Sequence, residues 1–460
     1  MAKNSSLFIF QKDLRLDDNP ALNMALSHET AVIAYILDPQ ALGGQASCEW
    51  LHVSLSRLSE SLAERGIKLI LAKGRLSEEV LKLAREAAVD HIYWNRSSSP
   101  YQRSEFQGLK KRLNQNVKLI PIDGCYLHPF EDIKTQSDSP YKVFTPYFNS
   151  LLKLPKRKPV AFQNGAKSID RLASLSLDEL GLRSKKKWAA SMMKSWQPGE
   201  FHAKKALKEY IKHVESYESS RNTPCLEIST SKLSPHLSHG EISPIQVLHE
   251  LRDMRSTSLP WMRQVVWREF AHYLLWHFPN TSLEPLKKEY ASFPVELNPA
   301  FFEAWQKGLT GFPIVDAGMR ELWHTGWMHN RVRMIVASFL IKDMHLPYKW
   351  GEAWFKDTLV DYDEASNIFG WQWSSGGGAD SQPYYRIFNP ESQAATYDPD
   401  ATYIKNWIPE LENANPKDII RSVNLEVFPY PKPILHHGKE RLKALALLER
   451  FKKSLNKMEF

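Results

Sequence analysis

The chain has 460 residues, of which 43% are hydrophobic and 24% are charged, and its formal net charge is +8. This is the composition of an ordinary soluble globular protein, long enough for two or more domains with sizeable cores. The basic balance suits a polyanionic partner such as nucleic acid, although a basic but otherwise ordinary enzyme has the same charge.

The cysteines and the apolar runs argue against several classes of protein. Cys48, Cys125 and Cys225 are far apart and form no CxxC pair, which argues against a metal site held by four thiolates and favours a reducing compartment. The N-terminus lacks signal-peptide architecture, and no apolar run approaches the length of a membrane span. We predict a cytoplasmic protein without a metal ion, and we expect it to be a monomer.

Strands and helices alternate in the first third of the chain. The pair Asn19-Pro20 predicts a helix start, with Asn as the cap and Pro in the first turn. This alternation predicts a Rossmann-like α/β domain over residues 1–128, with a parallel five-stranded sheet covered by helices on both faces. The apolar runs that predict strands are 6–10, 31–37, 68–72, 91–94 and 117–122, and helices are predicted at 49–65 and 76–88 among others.

The remaining chain divides into a connector and a helical region. Clusters of Pro, Ser and Lys with weak periodicity predict a connector over residues 129–200 that runs along the surface. From residue 201 to 460 the periodicity is helical, which predicts a larger all-α domain. Helices are predicted there at 203–219, 243–255, 261–278, 299–308, 315–325 and 328–344.

Three segments together resemble the photolyase/cryptochrome family. They are FQKDLRLDDNPAL at 10–22, TGFPIVDAGM and GWMHNRVRM within 310–334, and GWQW and YYRIFNP within 370–390. The resemblance covers essentially the whole chain, and its C-terminal block is highly specific. It implies an α/β N-terminal domain, a helical domain that holds FAD in its reduced, active form, and damaged DNA with pyrimidine dimers as the partner.

The resemblance implies a set of flavin contacts. The segment ISTSKLSP at 228–235 resembles the family's diphosphate loop, although an ordinary capped loop before a helix has the same residues. Two acids precede Trp371 at the family's spacing, and Arg333 or Arg331 is the candidate partner for these carboxylates. The implied cofactor contacts are Tyr217, Thr230, Ser231, Lys232, Leu233, Ser234, Arg333, Asp361, Asp363 and Asn367.

Asn367 is the residue that the resemblance places at N5 of the flavin. A neutral amide can accept a hydrogen bond from a protonated N5 or donate one to an unprotonated N5, which suits a ring that changes its redox state. Plant cryptochromes are similar here but carry an Asp at this position. Asn367 therefore favours repair over signalling.

The resemblance also implies a pocket for the lesion. A lesion inside a duplex cannot reach a buried flavin, so photolyases flip the damaged bases out of the helix. Trp267 and Trp373 match the two tryptophans that clamp the dimer, and Asn330 and Met334 match the pocket floor. Relatives that repair (6-4) photoproducts have two His at the floor for proton transfer, so this floor favours the cyclobutane dimer. Arg268 and Arg386 are candidates for phosphate contacts.

Three positions depart from the family pattern. Cyclobutane-repairing relatives commonly carry a Glu at position 264, whereas this chain has Gln264, as the (6-4) group does. The catalytic candidates are Gln264, Asn330, Met334 and Asn367. The electron route to the flavin keeps Trp371 but has Tyr348 and Val295 at its other two positions, so Trp350, Trp354 and Trp323 are candidates for a detour. Gln102 replaces a Glu of folate-binding relatives, which leaves the antenna open between folate, deazaflavin, another chromophore and none.

The leading hypothesis is light-driven splitting of cyclobutane pyrimidine dimers. A cryptochrome-like light sensor, a (6-4) lyase supported by Gln264 and an FAD-binding protein without repair activity are the alternatives. The chain ends at Phe460 without a long tail of the kind that often carries cryptochrome signalling, which favours repair.

Overall fold

The computed structural model describes residues 4–184, 187–381 and 385–458. By spatial proximity the chain divides into two compact units. Unit 1 comprises residues 1–215, 231–279 and 360–365, and unit 2 comprises residues 216–230, 280–359 and 366–460. The domain boundaries at residues 128 and 200 stay a prediction, and Tyr384 of the YYRIFNP segment lies outside the described residues.

A parallel sheet forms the centre of unit 1, and the predicted fold class is confirmed. The strands run in the order β3-β2-β1-β4-β5. A sixth strand of two residues, which is too short to leave a periodic signal, pairs with β2. The strands are β1 (Ser5–Phe10), β2 (Thr30–Leu37), β3 (Leu69–Lys73), β4 (His91–Asn95), β5 (Lys118–Ile122) and β6 (Lys167–Ser168).

The central strands are continuous apolar runs because both faces of the sheet are covered. All six residues of β1 are buried. Phe8 and Phe10 belong to one apolar core, whereas Leu7 and Ile9 belong to the other. The helices of the N-terminal part are α1 (Pro20–Ala25), α2 (Gln45–Ala63), α3 (Leu76–Ala87) and α4 (Pro100–Arg112).

The predicted start of α1 is confirmed in its details. The side chain of Asn19 accepts a hydrogen bond from the backbone N–H of Leu22, and Pro20 opens the helix. The cap satisfies one of the amide groups that the first turn leaves without a helical partner.

The segment predicted to be a surface connector contains a partly buried helix, α5 (Phe144–Lys153). Its side chains Phe144, Tyr147, Phe148 and Leu151 are buried and form one stripe at helical spacing. Pro146 lies in the first turn, where a proline does not break a helix. Further helices of unit 1 are α6 (Lys187–Met192), α7 (Glu200–Ile211), α9 (Ser234–His239), α10 (Pro244–Glu250) and α11 (Arg255–His277).

Unit 2 is built from helices, with α8 (Tyr217–Ser220) as its first. The predicted helix at 328–344 is α14 continued by a π-helical turn at Phe339–Asp343. Among the described residues, no helix is both long and apolar enough to cross a membrane. The remaining helices are α12 (Pro299–Lys307), α13 (Pro313–Thr325), α14 (Asn330–Ser338), α15 (Tyr348–Thr358), α16 (Glu364–Ser375), α17 (Pro390–Tyr397), α18 (Thr402–Trp407), α19 (Pro416–Arg421) and α20 (His437–Met458); α16 starts in unit 1.

Candidate functional site

Asp363 of unit 1 has two basic neighbours on α11. Oδ2 of Asp363 lies 3.4 Å from Nη2 of Arg268 and 3.0 Å from Nε2 of His272. Arg268 and His272 are one helical turn apart on α11, so their side chains lie on the same face. Burial lowers the pKa of His272, against the attraction of Asp363. The guanidinium of Arg268 is therefore the permanently charged neighbour of Asp363.

The loop before α1 brings a further cation to unit 1. Lys12 is exposed, and the carboxylate of Asp363 attracts its ammonium group. The backbone of Lys12 packs against Gly240, where an added Cβ would lie 2.0 Å from the carbonyl oxygen of Lys12. Gly240 has a φ of +73° and ends α9 in the left-handed region. Both the close approach of Lys12 and the left-handed backbone therefore require glycine at position 240.

The predicted diphosphate loop contains one residue with a left-handed backbone. Lys232 is exposed and has a φ of +50°, in the left-handed region that only a few per cent of such residues adopt. The backbone N–H of Leu233 donates to the hydroxyl of Ser231 at 3.4 Å. Ser234 then begins α9, with its side chain exposed. Thr230 ends the preceding stretch, which belongs to unit 2.

Two predicted cofactor residues of unit 2 have defined partners. Nδ2 of Asn367 donates to the carbonyl oxygen of Glu352 at 3.0 Å, which leaves the amide oxygen as an acceptor. Tyr217 is buried, burial raises its pKa, and the guanidinium of Arg221 lies 5.5 Å from its ring centroid. The predicted acid Asp361 belongs to unit 1 and is 7% exposed.

The two arginines that the sequence offers as carboxylate partners have other contacts within unit 2. Nε of Arg333 donates to the carbonyl oxygen of Met328 at 2.7 Å, and its guanidinium lies over the ring of Trp327. Arg331 donates to the side chain of Asn222 at 3.0 Å. The guanidinium that pairs with Asp363 is that of Arg268, which the sequence analysis placed at a DNA phosphate.

Unit 2 brings together four of the predicted lesion residues in two pairs. Nδ2 of Asn330 lies 3.8 Å from the sulfur of Met334, one helical turn along α14. The guanidinium of Arg386 lies 5.7 Å from the ring centroid of Trp373, and Nε1 of Trp373 donates to the carbonyl oxygen of Asp380. Each pair therefore combines a polar group with an apolar surface.

The other predicted lesion residues lie on α11 of unit 1, where Trp267 and Gln264 accompany Arg268. The ring of Trp267 stacks on that of Phe144, with centroids 3.5 Å apart and planes 8° apart. Nε2 of Gln264 donates to the carbonyl oxygen of Pro260 at 3.2 Å, which leaves its amide oxygen as an acceptor. Phe144 comes from α5, so the connector segment contributes directly to fixing this tryptophan.

Trp371 lies in an aromatic cluster of unit 2. Its ring centroid is 5.0 Å from that of Phe355 and 6.3 Å from that of Trp305. Gly351 allows this packing, because an added Cβ there would lie 2.0 Å from the Trp371 ring. Phe302 then connects Trp305 to Trp350, with centroid distances of 5.8 and 5.2 Å.

The other aromatic candidates for the detour have separate surroundings. The rings of Trp323 and Trp354 stack on each other at 5.9 Å. The hydroxyl of Tyr348 is buried and has no hydrogen-bond partner within the described ranges, and burial raises its pKa.

Gln102, which replaces the Glu of folate-binding relatives, is buried on α4 and donates to the side chain of Gln11.

The sequence analysis missed three residues at these sites. The first is His272, which stands four positions after Arg268 on a helix; this spacing could have indicated that the two side chains share a polar face. Lys12 lies inside the FQKDLRLDDNPAL segment, where nothing in the pattern shows that it interacts with Asp363. Trp305 had no sequence signal, because a buried tryptophan on a helix is ordinary core.

Two family models match the chain. The model described as DNA photolyase matches residues 6–164, and the model described as the FAD binding domain of DNA photolyase matches residues 261–450. The first match covers nearly all of β1 to β5, and the second covers most of α11 and of the helical region. The prediction of FAD as the cofactor is thereby confirmed.

Individual relatives match over nearly the whole chain. A protein of Agrobacterium fabrum named deoxyribodipyrimidine photo-lyase is 39% identical, over 97% of this chain and 98% of the relative. Cryptochrome-2 of Arabidopsis thaliana is 34% identical, over 87% of this chain and 70% of the relative. The crystal structure of a bacterial class III photolyase from Agrobacterium tumefaciens superposes with a TM-score of 0.92 at 37% identity, over 98% of both chains.

Proposed function

The chain belongs to the photolyase and cryptochrome family, and from that premise we propose that it splits cyclobutane pyrimidine dimers in DNA in a light-driven reaction. The contact between Asn330 and Met334 carries the proposal. An amide and a thioether hold no proton that titrates near neutral pH. They suit a lesion whose repair needs an electron and not the proton transfer that the resemblance assigns to (6-4) repair.

The polar groups of the chain fit the cofactor. An exposed ammonium on Lys232 and exposed or half-buried hydroxyls on Ser231 and Ser234 suit an anionic diphosphate. The free amide oxygen of Asn367 suits a ring that presents an N–H donor. We propose as FAD contacts Tyr217, Thr230, Ser231, Lys232, Leu233, Ser234, Arg333, Asp361, Asp363 and Asn367.

FAD held by these residues would supply the light-driven one-electron chemistry for splitting the dimer. The chain holds the charges around that chemistry in place. Oδ2 of Asp363 lies beside the guanidinium of Arg268 and beside Nε2 of His272, one turn further along α11. Groups that are held in place by such contacts need not reorganise during the reaction.

The aromatic residues provide surfaces for flipped bases. Base–aromatic stacking contributes about 1–3 kcal/mol per base. The ring of Phe144 stacks on one face of Trp267 and fixes its orientation. Arg386 is exposed beside the half-buried ring of Trp373, where an arginine can contact a phosphate next to the flipped bases. Arg268 lies deeper and pairs with Asp363, so we propose that it acts on the cofactor side.

Photoreactivation in cells tests the proposal. A bacterial host that lacks both its own photolyase and nucleotide excision repair is irradiated with ultraviolet light, with or without subsequent blue light. We expect the wild-type chain to restore survival only after blue light, and Trp373→Ala to restore much less at equal protein level. Equal survival in the dark and in the light would overturn the proposal and favour a photoreceptor.

A further inference from the structure

Three potential metal ligands meet at the edge of the sheet where the parallel strands begin. His28 precedes β2, Asp90 precedes β4, and His91 is the first residue of β4. Each offers one ligand atom, and these atoms all lie within 4.8 Å of one another. The three side chains are half-buried, so an ion can enter from solvent. They lie in unit 1, and none of them belongs to the proposed repair site.

Neighbouring groups orient the two imidazoles. Nδ1 of His28 lies 2.8 Å from the amide oxygen of Asn4, and its Nε2 lies 2.9 Å from the hydroxyl of Tyr93. With the proton on Nδ1 and donated to Asn4, Nε2 keeps a lone pair that accepts from Tyr93 or binds a cation. Nδ1 of His91 lies 3.0 Å from Oδ1 of Asp90, which also accepts from the backbone N–H of Ser5. Such hydrogen bonds to metal-binding histidines fix ring orientation and tautomer.

We propose that His28, Asp90 and His91 bind one divalent transition-metal ion of the zinc type. Two imidazoles and a carboxylate suit Zn²⁺, Ni²⁺ or Cu²⁺ rather than Mg²⁺ or Ca²⁺, which prefer ligand sets of oxygen alone. Two ligands at about 2.1 Å from one ion lie at most about 4.2 Å apart. The ligand atoms lie up to 4.8 Å apart, so small rotations of the half-buried side chains would bring them within this distance of one another.

The ion would join segments that are far apart in the chain. His28 belongs to the connection between α1 and β2, whereas Asp90 and His91 lead into β4, on the other side of β1 in the sheet. Because these residues come together only in the folded chain, binding of the ion stabilises the folded state. Solvent fills the remaining coordination positions. Because none of the three ligands belongs to the proposed repair site, the ion is independent of light-driven repair.

Zinc binding to the untagged, FAD-loaded protein tests this inference. After chelator treatment and gel filtration, ZnCl₂ is titrated by calorimetry and the bound zinc is counted by elemental analysis. We expect one saturable Zn²⁺ per chain and a higher unfolding temperature when the ion is present. His91→Ala and His28→Gln should lose this binding, whereas His324→Ala, a change at an exposed histidine of unit 2, should keep it.

Two milder variants keep the test valid if the histidine variants fold poorly. Asp90→Asn keeps an acceptor for Ser5 and His91 but removes the carboxylate. Asn4→Ala leaves all three ligands and should weaken the affinity about 10- to 100-fold by releasing the His28 ring. If the Asp90→Asn and Asn4→Ala proteins bind Zn²⁺ as tightly as wild type, or if wild type binds none, the proposed site is wrong. Repair activity would be unaffected by either result.

Discussion

The substitution Glu269→Gln should change how the stability of the protein depends on pH. Glu269 is fully buried on α11, two residues after Trp267. Its Oε1 accepts from the backbone N–H of Leu127 at 2.7 Å, and its Oε2 has no hydrogen-bond partner in the described part of the chain. Burial raises the pKa of this carboxyl to about 8. Glutamine keeps the acceptor for Leu127 and cannot ionise.

The direction and size of the effect follow from proton linkage. In the unfolded chain the carboxyl loses its proton near its ordinary pKa of 4.5, whereas the folded chain keeps it up to a pKa of about 8. The folded state therefore binds more protons in this window, and its stability falls as the pH rises from about 4.5 to about 8. At 1.36 kcal/mol for each pKa unit, the full difference is roughly 5 kcal/mol, and about half of it falls between pH 6 and pH 8.5.

Urea unfolding of the two proteins at pH 6 and pH 8.5 measures this effect. All other titrating groups are shared, so the difference between wild type and Glu269→Gln isolates residue 269. We expect the variant to gain about 2–3 kcal/mol relative to wild type on going from pH 6 to pH 8.5. Parallel pH dependences would show that the carboxyl is ionised in the folded state at both pH values, and the account of its burial would be refuted.

Three further predictions concern repair. Trp267→Ala and Trp373→Ala should each weaken binding of dimer-containing DNA by about 1–3 kcal/mol in fluorescence anisotropy; unchanged affinity in both would remove them from the pocket. Trp371→Phe should abolish most light-driven reduction of oxidised FAD, seen in its visible absorption, and leave repair by chemically reduced protein intact. Affinity for DNA should fall with salt, with a logarithmic slope of about −0.9 for each phosphate contact; a flat dependence would contradict binding through basic side chains.

The strands of the sheet could be predicted because a buried parallel strand is a short, continuous apolar run. All five predicted strands are present within one residue of their predicted ends. β6 was missed because two residues carry no period. α5 was missed although its buried stripe is visible in the sequence, because Pro146 and the surrounding Ser and Lys clusters resemble a loop. The π-helical turn at Phe339–Asp343 continues the helical pattern of α14 and leaves no separate signal.

The site could be predicted only as a set of residue types. Spacing to Trp371 identified Asp363, but its partners Arg268 and His272 are about 90 to 95 positions earlier in the chain, and only the fold brings them together. The same holds for the stacking of Trp267 on Phe144, which joins two helices more than 100 residues apart. Sequence spacing reports neighbours on one helix, whereas tertiary partners depend on how helices pack.

The most direct measurement of the central claim uses reduced, FAD-loaded protein and two oligonucleotides in one cuvette. One carries a single cyclobutane thymine dimer, the other carries a single (6-4) photoproduct, and chromatography separates damaged from restored strands before and after illumination. We predict that light restores the cyclobutane strand, that the (6-4) strand stays damaged, and that neither changes in the dark. Restoration of the (6-4) strand, or no restoration of the cyclobutane strand, would contradict the assignment built on Asn330 and Met334.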